Sequence, residues 1–348
     1  MNTFFIEYRD PLFSVIIFFV LVFVIAVFSY WLGRYKKKED SKYLDKFLQG
    51  FRSLPSHDEL KVLISSGELS EKSWLLLAQS YFKNGDYEKS IEIYNELLSI
   101  GGKSNARDTM FLLGRTYFKA GFLERARKIF LEILKNNPRT PQALNYLLLV
   151  YEYMRDYKSA IEVLEPLGEL QKETVNDAAY LQSLMLINDE SKSGIEKAES
   201  LLKIYKETNI LSYMVFEYLF RINPKLAWKN FDSSKSEQLS ELLWQLDTKK
   251  LDLDIIAQNG YLRELYTARG DVKLASKSSV FEFDMLIKLE GKSNATLAFE
   301  YICDGCKQTH PFIFSRCSSC HAIDTARVEM SLTKDYYRNL VEENNSFQ

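Results

Sequence analysis

The four cysteines of this 348-residue chain stand near its end, spaced Cys303-x2-Cys306-x10-Cys317-x2-Cys320. A C-x2-C pair turns two thiolates toward one point, and two such pairs complete a tetrahedral four-sulfur shell. The expected chemistry is capture of one metal ion by Cys303, Cys306, Cys317 and Cys320, with zinc the first choice and iron also compatible with four thiolates. A complete sulfur set leaves no ligand position for substrate, so a structural metal is expected. His310 and His321 lie nearby and have no obligatory place in such a shell.

Little else has the form of reactive chemistry. The other histidine is His57, and no nucleophile arrangement suggests itself. Gly102-Lys103-Ser104 and Gly291-Lys292-Ser293 resemble the end of a phosphate-binding loop, but Leu97 and Leu286 stand where its first glycine is needed. The chain is expected not to be an enzyme. With 45 basic against 47 acidic residues and a net charge of -2, no basic field points to nucleic acid.

The elements that hold the cysteines follow from their surroundings. Residues 298–325 form the expected metal module, with Phe312, Ile313 and Phe314 as a small apolar strand covering the site or docking it, and 326–348 as a C-terminal helix and tail. So short a module has little core, so metal binding supplies much of its folding free energy. The knuckle spacing resembles rubredoxin. The glycine that usually follows the second cysteine of each knuckle is replaced by Lys307 and His321, which is expected to weaken N–H bonding to sulfur and to favour zinc over iron.

Upstream, few glycines and prolines (14 and 7) against 21 tyrosines and 23 phenylalanines suit packed helices, so the chain reads as mainly α until the cysteine module. Trp74, Leu77, Ala78, Tyr81, Gly85, Ser90 and Tyr94 recur as Met110, Leu113, Gly114, Tyr117, Gly121, Ala126 and Phe130. They recur again as Leu144, Leu147, Leu148, Tyr151, Arg155, Ala160 and Leu164, at a period of about 34–36 residues. This pattern resembles the tetratricopeptide repeat, and implies an α-solenoid of helix hairpins. Three clear copies occupy 71–174 and degenerate helical repeats 175–297, with Glu196–Leu202 as a second helix and Tyr266–Asp271 as a hairpin turn. The small residues at 78, 90, 114, 126 and 160 let paired helices approach closely.

The first helix of each copy lines the concave side of such a solenoid. Helical phase places there Lys72, Gln79, Phe82 and Lys83, then Asp108, Phe111, Arg115, Phe118 and Lys119, then Gln142, Asn145, Leu149 and Glu152, as a partner-binding groove. The phenylalanines have two readings, ligand contact or packing within the solenoid.

At the other end, residues 12–32 carry no charge and as a helix would rise roughly 31 Å, enough to cross a hydrocarbon core. The expected order is a short extracytoplasmic segment 1–11, a transmembrane helix 12–32, and a basic juxtamembrane segment with a linker helix at 33–70. Arg34, Lys36, Lys37, Lys38 and Lys42 against Arg9 alone place the bulk of the chain in the cytoplasm by the positive-inside rule. That compartment is reducing, which favours metal ligation over disulfides.

Anchor, basic flank, repeat array and terminal C-x2-C-x10-C-x2-C together resemble the lipopolysaccharide assembly protein B (LapB) family. The resemblance implies a single-pass adaptor in the bacterial inner membrane that restrains lipopolysaccharide synthesis. Its partners would be a membrane AAA protease, the lipid A deacetylase and lipopolysaccharide assembly proteins; a homo-oligomer is compatible with it. The alternative is a membrane-anchored repeat scaffold for another envelope or secretion complex.

Overall fold

The computed structural model describes residues 20–25, 27–28, 57–66, 69–100, 106–170, 173–289 and 294–334. The chain divides into two compact units, Met1–Val150 and Tyr151–Gln348.

The first unit holds α1 (His57–Ser65), α2 (Glu71–Lys83), α3 (Tyr87–Ile100), α4 (Ala106–Lys119), α5 (Leu123–Asn136) and most of α6 (Pro141–Tyr153). The Ser70 side chain caps α2 by accepting from the Ser73 N–H at 3.2 Å. From α2 to α5 each helix packs on the next. Ala78, Ser90 and Ala126 are fully buried at the helix contacts, and a Cβ added to Gly114 would lie 2.9 Å from the Phe130 ring. The small positions of the repeat are therefore where two helices meet too closely for a larger side chain.

One backbone device closes the hairpins. Gly85 and Gly121 take φ of 84° and 82°, and the next residue donates its N–H five residues back, Asp86 to the Tyr81 carbonyl and Phe122 to that of Tyr117, both at 2.9 Å. A left-handed residue that satisfies the last helical carbonyls in this way is the Schellman arrangement.

The second unit shows the same device twice more. Arg155 holds φ 61° while Asp156 donates to Tyr151, and Gly270 holds φ 91° while Asp271 donates to Tyr266. The third copy thus keeps its turn without glycine, and the expected hairpin turn at 266–271 is a repeat turn in geometry. After Tyr157–Glu169 (α7) come α8 (Val175–Asn188), α9 (Gly194–Thr208), α10 (Ser212–Ile222), α11 (Pro224–Lys229), α12 (Ser240–Gln245), α13 (Leu253–Gln258), α14 (Gly260–Arg269) and α15 (Phe281–Leu289). A capping box between Ser193 and Glu196 starts α9, which contains the helix expected at 196–202. One hydrophobic core runs from Ala179 of α8 through Phe216, Trp228, Tyr266 and Phe283 to Leu297.

Leu297 belongs to an antiparallel sheet ordered β2-β1-β3: β1 is Ala295–Cys303, β2 Thr309–His310 and β3 Ala326–Lys334. The register runs from Ala295 opposite Lys334 to Cys303 opposite Ala326. Two expectations are corrected here. The residues from 326 form a strand and not a helix, because Val328, Met330 and Leu332 alternate with Arg327, Glu329 and Ser331 at the period of a strand; residues 335–348 lie outside the described residues. The short strand lies at 309–310 and not at 312–314, and Phe312 is 79% exposed.

The membrane expectation is also corrected. Among the described residues no helix is long and apolar enough to cross a membrane. Of 12–32 only 20–25 and 27–28 are described, as helix, and the remainder lies outside the described residues, as do 1–11, the basic cluster at 34–42 and both Gly-Lys-Ser stretches. The transmembrane element of the fold, the inner-membrane location, the orientation drawn from the flanks and the membrane as a partner all fall with it.

Candidate metal centre

β1 delivers Cys303 to the first knuckle, and the chain doubles back so that the Cys303 N–H donates to Gln308 O at 3.0 Å and the Lys307 N–H to Cys303 O at 2.7 Å. The second knuckle repeats this: Cys317 N–H to Ala322 O at 2.9 Å, and His321 N–H to Cys317 O at 2.9 Å. Lys307 and His321, the residues in place of glycine, take φ of 60° and 63°. Both knuckles therefore keep the left-handed turn that glycine would supply, at a cost of roughly 1–2 kcal/mol per residue. A hydrogen bond from Ser319 Oγ to Gln308 Oε1, 2.7 Å, ties one knuckle to the other.

The result brings all four sulfurs within 4.8 Å of one another. Cys303 and Cys320 Sγ are 3.6 Å apart, and Cys306 and Cys317 Sγ 3.8 Å. Metal–sulfur bonds of about 2.3 Å in a tetrahedron require sulfurs about 3.8 Å apart. The sulfurs are unbridged, and the cluster is compatible with a single metal ion.

Burial raises the Cys303 thiol, but the Thr325 hydroxyl at 3.2 Å and the N–H groups of Cys306 and Gly305 outweigh it and bring the thiol down to about 6. Burial, with the neighbouring thiols, pushes Cys320 up to about 12. One thiolate is thus favoured by the protein alone, and crowding opposes further ionisation until a cation enters. The N–H bonding to sulfur that the missing glycines were expected to weaken is present, to Cys303 as above, from Gln308 to Cys306 and from Ala322 to Cys320. His310 packs on Phe314 with Nε2 3.5 Å from Cys317 Sγ, at the margin of the shell.

Arg316, which sequence reasoning passed over, fastens this module to the helices of the second unit. Its Nε is 2.8 Å from Glu152 Oε2 on α6, and its Nη2 2.9 Å from Asp177 Oδ1 on α8. It also donates to the His321 carbonyl at 3.1 Å and lies over the Tyr180 ring. The side chains of Arg316 and Glu152 are only 8% and 10% exposed. Burial raises the Glu152 carboxyl and Arg316 opposes that rise; burial also raises Tyr180, which hydrogen-bonds Glu152. An open cleft of about 310 Å³ beside this ion triad is lined by residues that include Tyr153, Arg155, Tyr157, Ser318 and His321.

The expected groove residues divide. Lys72, Lys83, Asp108, Lys119 and Gln142 are exposed or nearly so, and Gln79, Phe82, Phe111, Arg115 and Asn145 half-buried. Phe118 and Leu149 are buried at 7% and 3% exposure, so neither offers a surface to a ligand. Phe111 packs edge-on against Tyr146 and tilted on Phe130. Glu152 is engaged by Arg316 as described. The packing reading therefore holds for Phe118, while Phe82 keeps part of its surface.

Residues 71–100 and 111–167 match two tetratricopeptide repeat family models. No curated protein matches the chain. Among solved structures, MamA (residue 41 to its end) of Desulfovibrio magneticus RS-1 is 20% identical, with 49% of this chain and 95% of that one covered at a TM-score of 0.38. A tetratricopeptide repeat protein of Parabacteroides merdae ATCC 43184 is 14% identical over 73% of this chain and 98% of that one, TM-score 0.38. A thermophilic repeat protein of Thermus thermophilus is 14% identical over 56% and 99%, TM-score 0.30.

The models that match describe the repeat in general, and nothing ties the chain to lipopolysaccharide assembly protein B. That resemblance is corrected to tetratricopeptide repeats within residues 71–100 and 111–167 and a four-cysteine cluster near the end of the chain. The regulation of lipopolysaccharide synthesis, the AAA protease and the lipid A deacetylase lose their support with it.

Proposed function

We propose that this chain is a protein-binding scaffold that holds an extended segment of a partner along the first-helix face of residues 71–150, and that its cysteine module is a structural zinc site. The observation that carries the binding reading is the half-exposed set Gln79, Phe82 and Arg115 on successive first helices, while the hairpins beneath them are closely packed. A groove with partly open aromatic and cationic side chains on a rigid frame suits peptide capture.

A photo-crosslinking residue at Gln79, compared with one at Lys128 on α5, tests this. Adducts from position 79 alone are expected; equal labelling from both positions, or none from 79, refutes the reading.

Zinc is the first metal because four thiolates with no ligand position open make a closed structural shell. One observation favours iron as a second reading: the N–H groups of Gly305, Cys306, Gln308 and Ala322 directed at sulfur. Such bonds delocalise thiolate charge and tune a redox centre. Elemental analysis of the purified chain with its visible spectrum separates them, since zinc tetrathiolate is colourless and ferric tetrathiolate is not.

A further inference from the structure

We propose that β3 is a dimerisation strand: it pairs antiparallel with the β3 of a second copy of this chain, joining the two sheets across a two-fold axis. The inference is independent of the peptide-binding and zinc readings above. It starts from the direction of the backbone groups. Just beyond the β1–β3 register, Asp304 N–H donates to Thr325 O at 2.8 Å. Residues opposite each other in an antiparallel ladder are alternately bonded and not bonded, so Arg327, Glu329, Ser331 and Thr333 turn their N–H and C=O toward β1. Val328, Met330 and Leu332 therefore turn theirs outward. Among the described residues these outward groups have no partner, and β3 is the edge of the sheet.

Sheet edges are normally guarded by proline, a bulge or an inward-pointing charge. β3 has neither proline nor bulge: its nine residues run in unbroken register with β1. Arg327 and Glu329 stand on the solvent face, 3.3 Å from each other, and the one charge on the apolar side, Lys334, is at the last position. The apolar row is also unfinished. Val328 and Met330 are half-buried, whereas Leu332, next in the same row, is 36% exposed.

The strand is complementary to itself. With Met330 on the axis, Ala326 of one copy lies opposite Lys334 of the other, Arg327 opposite Thr333, Val328 opposite Leu332 and Glu329 opposite Ser331. Every residue of the strand is then paired, no charge meets its like, and the row of Val328, Met330 and Leu332 continues from one sheet into the next. Any other axis leaves strand ends unpaired, and one at Glu329 opposes two carboxylates. An unrelated extended segment could bond the same edge, but the match in length, charge and apolar row is one that β3 itself supplies. The contact is isologous and closes at two copies.

The test is sedimentation equilibrium of the full chain at concentrations up to about 0.1 mM, with two substitutions at the exposed Ser331 that leave the core of the monomer untouched. Ser331→Lys sets a lysine opposite Glu329 of the other copy, twice per dimer, and should tighten the dimer about fivefold; Ser331→Glu should loosen it by about as much. Leu332→Pro deletes an outward N–H and no bond to β1, so it should abolish the dimer while the circular dichroism and melting temperature of the dilute chain hold. If that variant fails to fold, the two charges at 331 decide by themselves. A chain that is monomeric throughout overturns the inference and leaves the edge to another extended segment. A dimer indifferent to both charges at 331 overturns it as well, because its contact then lies elsewhere.

Discussion

Replacing Arg316 with Ala removes the cation from a triad in which Glu152 is 10% and Asp177 29% exposed. Breaking a buried pair from one side costs about 3–5 kcal/mol, since the remaining charge is stranded. Loss of the stack on Tyr180 adds about 0.5–2 kcal/mol, and entry of water or protonation of Glu152 returns part of the total. The expected net loss is about 3 kcal/mol at pH 8, in urea unfolding followed by circular dichroism at fixed free metal.

The pH dependence has a definite sign. Burial already raises the Glu152 carboxyl, and Arg316 is the main group holding it down, so the variant raises it further. A raised carboxyl binds a proton when folded at a pH where the unfolded chain has released it, so its stability contribution falls as pH rises above the ordinary carboxylate range. The deficit of Arg316→Ala should therefore be smaller at pH 5 than at pH 8. Because Arg316 precedes Cys317, metal release to a chelator should quicken as well. Met at both 316 and 152 should restore most of the loss, since an apolar pair of similar size strands no charge. A loss below about 1 kcal/mol, no pH dependence, or a double variant as unstable as the sum of the singles would refute the reasoning.

Three further outcomes are expected. Cys320→Ser, or a strong chelator acting on the native chain, should abolish stoichiometric metal binding and the β-sheet signal of the module while leaving the helical signal of the repeats, read by elemental analysis and circular dichroism. His321→Gly or Lys307→Gly should slow metal release and stabilise the metal-bound chain by about 1 kcal/mol, because glycine adopts the left-handed turn without a Cβ penalty; a destabilised variant would show that these side chains contribute more than their backbone strain. Gly114→Ala should destabilise the fold by about 1–3 kcal/mol in thermal melts although alanine is the better helix former, since its Cβ would meet Phe130 at 2.9 Å and Ile129 at 3.0 Å.

What could be read from the chain is what short-range pattern encodes. The cysteine spacing gave the four-sulfur cluster, because two C-x2-C turns constrain their own sulfurs. The helical period and its small residues gave hairpins that close at Ala78, Ser90, Gly114 and Ala126. The strand at 326–334 was also legible in its alternation, and was missed because a C-terminal helix was expected there. The anchor was the weakest inference: a charge-free run resembles a span on composition, and no described helix has the length to cross a membrane.

Other features depend on contacts between residues far apart, to which a local period is blind. Nothing near Arg316 in sequence announces Asp177, 139 residues away, or Glu152 beyond it. Helical phase alone put Phe118 and Leu149 on an open face, whereas the neighbouring helices decide which side chains they cover. The left-handed backbone at Arg155, Lys307 and His321 likewise contradicts residue preference, and persists because the surrounding hydrogen bonds determine the turn more strongly than a Cβ opposes it. Sequence thus determined the four-cysteine cluster and the repeating hairpin, both consequences of bonding within a few residues. Tertiary packing decided which charges are paired, which aromatics are hidden, and that the buried Nε of Arg115 has no hydrogen-bond partner.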